Sequence, residues 1–100
     1  MNEGFFQRTV VVQNQLGLHM RPADVLVRTA SRFQSQIEIE KEGQAVDCKS
    51  ILGILTLAAQ QGCELKLIAN GADAEEAVEV LSELFARGFH ESSSEVTSPG

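Results

Sequence analysis

His19 and Arg21 stand two residues apart in the string Gly17-Leu18-His19-Met20-Arg21-Pro22-Ala23. An imidazole nitrogen can attack phosphorus and carry the group covalently. A guanidinium is permanently charged and matches the geometry of phosphate oxygens. What remains is to place the two side chains together, and the string suggests how. With His19 as the N-cap of a helix, Met20 becomes N1, Arg21 N2 and Pro22 N3. Proline is tolerated there because first-turn N–H groups have no intrahelical acceptor. The backbone N–H groups of Met20 and Arg21 and the positive end of the helix dipole would then face an anion on His19. That arrangement is worth ~0.3–1 kcal/mol, and up to ~2 when partly buried. Residues i and i+2 do not face each other inside a helix. At a cap they can converge, because the cap residue lies off the helical path. Phosphoryl transfer needs mainly positioning and charge stabilisation. No metal or cofactor is therefore expected.

A second string, Lys49 to Gly62, has apolar residues around nearly its whole circumference. Ser50 sits where an N-cap belongs. The crowding of Ile51, Leu52 and Leu55 has two readings. Either the helix is buried on most sides, or these residues form an apolar patch that docks a partner. A phosphate on Ser50 would be accepted at the helix N-terminus and would disturb such docking. His90, beside a polar tail, reads as a solvated surface residue.

The elements that must hold these residues follow from periodicity. Residues 6–12, 36–41, 44–48 and 64–69 read as strands. Residues 20–31, 51–60 and 74–87 read as helices, with Gly62 near the C-cap of the second. Asp73 and Glu76 resemble a capping box for the third. Glu42-Gly43 marks a hairpin turn. The order βαββαβα predicts an α+β two-layer sandwich, with the helices on one sheet face and water on the other. Residues 1–89 are expected to form one domain, and 90–100 a disordered tail. A net charge of −6 argues against a nucleic-acid partner. No apolar run is long enough to insert in a membrane. Cys48 and Cys63 have no metal-ligand spacing and read as free thiols in a reducing cytoplasm.

Together, GLHMRPA, KSILG and NGADAEEAVEVL resemble the strings of the HPr family, the histidine-containing phosphocarriers of the bacterial sugar phosphotransferase system; the similarity covers roughly residues 6–88. The resemblance implies an open-faced β-sandwich of four antiparallel strands and three helices. It implies that His19 is phosphorylated on Nδ1 by Enzyme I, which draws on phosphoenolpyruvate, and that the group passes to a IIA protein or domain of a sugar permease. The chain would then be a stoichiometric phosphohistidine carrier, not an enzyme, working as a cytoplasmic monomer. Arg21 would bind and release the phosphoryl group. Ser50 would be the target of an HPr kinase/phosphorylase. Ile51, Leu52 and Leu55 would belong to the docking surface, with Arg28 a charged contact. Leu16, Asp24 and Ser31 depart from the family's usual residues near the site. Two other readings stand beside the carrier. One is a regulatory phosphoprotein, switched at Ser50 or serving a nitrogen-type branch. The other is a structural α+β adaptor.

Overall fold

The computed structural model describes residues 4–90; of the disordered tail expected at 90–100, His90 is instead part of a 3-10 turn, and 91–100 lie outside the described residues. In chain order the elements are β1 (Phe5–Val11), α1 (Met20–Ala30), β2 (Gln36–Lys41), β3 (Gln44–Asp47), α2 (Ile51–Thr56), β4 (Glu64–Asn70) and α3 (Ala74–Ala86). A 3-10 turn, Gly88–His90, follows. The strands form one antiparallel sheet in the order β1-β4-β2-β3. The fold is the expected open-faced sandwich.

The alternation of β2 decides its orientation. Ile37 and Ile39 are buried, while Gln36 and Glu38 are exposed. Across β4 they meet Ala69 and Leu67, which are also buried. Paired residues of an antiparallel ladder share a face. That face therefore carries Val10, Leu65, Leu67, Ala69, Ile37 and Ile39 into the core. α1 contributes Pro22, Ala23, Leu26 and Ala30. α3 contributes Ala74, Ala77, Val78, Leu81 and Phe85, spaced at a helical period. The β2–β3 turn places both Glu42 (φ 51°) and Gly43 (φ 87°) in the left-handed region. Those are the backbone angles of a two-residue I′ hairpin turn, whose twist matches that of the strands.

Two local expectations are corrected. α2 ends at Thr56 rather than near residue 60, and Ala58 (φ 50°), not Gly62, takes the left-handed position just past it. Tertiary partners stop the helix. Lys41 Nζ donates to the Leu57 carbonyl at 2.9 Å, and Leu18 N donates to the Ala59 carbonyl at 2.9 Å. Gly62, also left-handed, instead turns the chain into β4.

Asp73 does stand at the N-cap of α3, but its side chain makes no capping bond. Its carboxylate accepts from the backbone N–H groups of Gln34 at 2.9 Å and Ser35 at 3.0 Å, and from the Ser35 hydroxyl. Asp73 thus fastens the start of α3 to the segment entering β2. These bonds, the Ser35 hydroxyl first, hold its carboxyl below the ordinary aspartate range. A lowered folded-state pKa contributes stability that is complete above the unfolded value, about 3.9, and is lost as pH falls through the folded value. Wild type is therefore expected to be more stable than Asp73→Asn at neutral pH. The gap should close as pH drops below about 4, as read from urea midpoints at the two pH values.

Cys48 is fully buried, and burial pushes its thiol up to about 12, so it is an inert core residue. Cys63 is half-buried, and both cysteines are free thiols. Among the described residues no helix is long and apolar enough to cross a membrane.

Candidate phosphoryl-acceptor site

The loop between β1 and α1 delivers His19 to the helix. It is fastened to the loop after α2 along its length. Val12 N donates to the Cys63 carbonyl at 3.0 Å, Gly62 N to the Val12 carbonyl at 2.9 Å, and Gln61 Nε2 to the Gln13 carbonyl at 3.0 Å. Gly17 (φ 72°) lies against this second loop so closely that a Cβ on it would stand 2.5 Å from the Ala59 carbonyl oxygen. Only glycine fits there without displacing backbone.

His19 occupies the N-cap of α1 in an extended conformation (φ −83°, ψ −169°), and its imidazole does not cap the helix. The ring is half-buried, neither sealed in the core nor fully adrift. The Ala23 N–H closes the first helical turn on the His19 carbonyl at 3.0 Å. Pro22 has no N–H, so the first-turn donors without an intrahelical acceptor are those of Met20 and Arg21. The Arg21 side chain is exposed and engages no partner among the described residues. Its charge can therefore turn toward an anion at the helix mouth. A nucleophilic ring, two backbone donors and a cation beside it can accept and hold a phosphoryl group.

The other expected residues lie on α1 and α2, which pack against each other. Arg28 sits in the last turn of α1 and is held by Asp24, one turn earlier, at 2.9 Å. Nine residues along a helix separate it from His19 by about 13.5 Å, at the opposite end of α1. Asp24, one of the departures from the family's usual residues, is the partner in that pair. Ser50 is the N-cap of α2, and its hydroxyl accepts from Gly53 N at 3.0 Å. Of the apolar trio, Leu52 is 76% exposed, while Ile51 and Leu55 are half-buried against the core. Burial on most sides is only partly realised: Ile54 is fully buried, and one corner of the helix faces water.

Two exposed neighbours lay outside the expected docking set. Leu16 is 71% exposed and Met20 58%. With Leu52 they are three of the four exposed large apolar side chains among the described residues, and all three stand where α1 and α2 begin. The usable signal was simple. Leu16 falls in a turn segment with no strand or helix to bury it.

Sheet, helices and the histidine at a helix mouth together define a carrier of the open-faced sandwich type. A family model described as "PTS HPr component phosphorylation site" matches residues 6–87. The chain is 41% identical over 85 residues to the phosphocarrier protein HPr of Xylella fastidiosa, covering 85% of this chain and 96% of the relative. HPr of Thermoanaerobacter tengcongensis superposes with a TM-score of 0.84 at 45% identity, covering 87% of this chain and 98% of that one. A phosphocarrier protein HPr from Bacillus anthracis gives 0.78 at 42%, covering 81% and 96%. The chain belongs to the HPr family, the phosphocarriers of the phosphotransferase system.

Proposed function

We propose that His19 takes a phosphoryl group from phosphorylated Enzyme I on Nδ1 and passes it to a IIA protein or domain of a sugar permease. The placement of His19 carries this reading: half-exposed at the N-cap of an eleven-residue helix, with Arg21 exposed two residues on. In the first transfer the Nδ1 lone pair attacks phosphorus in line, the N–P bond forms, and the bond to the donor breaks as its electron pair returns to the donor. The second transfer repeats this with His19 as the leaving group. Arg21 and the Met20 and Arg21 amides neutralise the phosphoryl oxygens in both directions. The carrier supplies a group, not turnover, and is consumed and regenerated once per cycle.

Docking rests on the apolar corner of Leu52 with Ile51 and Leu55, and on Arg28 at the rim. An exposed apolar patch of this kind beside charged residues fits a protein partner. Free thiols suit a reducing cytoplasm. The test uses phosphoenolpyruvate, Enzyme I and a purified IIA protein. Label should pass through the chain to IIA, and no transfer without the chain is expected.

Ser50 supplies a regulatory input to the same surface. Ser50 is half-buried at the start of α2, adjacent in sequence to Ile51 and Leu52. An HPr kinase/phosphorylase would place a dianion there without removing the helix cap. Ser50→Asp is expected to slow phosphorylation of His19 at least tenfold, equivalent to about 1.4 kcal/mol of lost docking. An unchanged rate at subsaturating Enzyme I would remove Ser50 and its apolar neighbours from the interface.

A further inference from the structure

Only two polar side chains are buried among the described residues, Asn14 and Ser35. Ser35 is explained by Asp73. Asn14 lies in no strand or helix, five residues before His19. Its Nδ2 donates to the Gly17 carbonyl at 2.6 Å, while the Gly17 N–H donates back to the Asn14 carbonyl at 3.1 Å. Residues 14–17 are thus closed into a ring by bonds from both sides. Gly17, at the end of that ring, is pressed on the Ala59 carbonyl, and Leu18 N bonds the same oxygen. The direction in which the chain leaves Leu18 decides whether His19 enters the extended N-cap conformation seen here.

A buried amide is costly unless its bonds are made. An apolar residue would serve packing alone. The 14–17 ring needs a donor that reaches the Gly17 carbonyl from inside, and Asn14 provides it. We propose that Asn14 is a positioning residue for phosphoryl transfer, setting the placement of the His19 ring against the Met20 and Arg21 amides. The proposal rests on the reading of His19 as acceptor and names the residue that fixes its geometry. Near-attack geometry tolerates little error, because a displacement of about 1 Å can cost roughly 100-fold in rate.

Asn14→Asp removes the donor and keeps the shape; Asn14→Ala removes the side chain. Both are measured where amide spectra show them folded. The maximal rate of phosphoryl uptake from phosphorylated Enzyme I should fall roughly 10- to 100-fold, with little change in the Enzyme I concentration that gives half-maximal rate. The Met20 and Arg21 amide resonances and the 15N signals of the His19 ring should move. Wild-type rates in either folded variant, even one with a lower melting temperature, would overturn the proposal. So would failure of both variants to fold at any temperature, which would make Asn14 purely structural. The parent reading fails by a different sign: a wild-type chain phosphorylated somewhere other than His19.

Discussion

Replacing His19 with alanine is expected to abolish phosphoryl acceptance from phosphorylated Enzyme I and to leave the fold intact. The two halves of this result come from separate facts. The imidazole is the acceptor in the proposed transfer, and among the described residues its chain neighbours at the α1 mouth offer no substitute: Met20 is a thioether, Arg21 a cation and Leu18 buried. Label incorporated from phosphoenolpyruvate should fall to the level of a reaction without carrier. The fold does not use the ring as a cap, and the backbone bonds of His19 survive the substitution. His19 is half-buried and outside the core cluster, so the stability change is expected at about 1 kcal/mol or less. For a domain of this size that moves the melting temperature by less than about 8 °C. A variant that melts far lower would show that the ring is structural, and one that still takes up label at the wild-type rate would place the acceptor elsewhere.

Phe85→Ala is expected to do the reverse. Phe85 is the largest fully buried side chain of the core and packs edge-on against Phe89, ring centroids 4.9 Å apart at 72°. Phe89 is itself buried, at the left-handed position of the turn that follows α3 (φ 57°). Truncation removes a large apolar contact and leaves a cavity that neither α3 nor the sheet can collapse to fill. Phenylalanine-to-alanine substitutions in cores cost about 3–5 kcal/mol. At about 4–8 °C per kcal/mol, the melting temperature should fall by some tens of degrees. Phosphoryl uptake per folded molecule, measured well below the new midpoint, should be near wild type, because Phe85 and His19 lie on different helices. A drop of less than about 1 kcal/mol would mean the core closes around the gap.

Much of this was legible in the residues because period and chemistry agreed. Ile37 and Ile39 alternate with charges, so β2 and its buried face could be read directly. Leu81, Leu84 and Phe85 mark the stripe of α3, and Leu84 is the one that stays half-buried at its edge. His19 was placed at the N-cap because Pro22 is tolerable only in a helix's first turn. What was not legible depends on contacts distant in sequence. The end of α2 is decided by Lys41, 16 positions before the Leu57 carbonyl it bonds, and Leu18, 41 positions before that of Ala59. Asp73 was read as a local cap, but Gln34 and Ser35, nearly 40 residues earlier, claim its carboxylate. Asn14 carries no periodic signal, so its role emerged only when the fold buried it. Leu16 and Met20 look like ordinary apolar residues until the structure leaves them in water.

The most direct measurement of the central claim is the location of phosphate on the wild-type chain after incubation with phosphoenolpyruvate and Enzyme I. The account predicts one phosphoryl group per chain, labile in acid and stable in base, with its 31P resonance and fragment masses assigning it to Nδ1 of His19. Phosphate absent from His19 under those conditions, or found on any other residue, would contradict it.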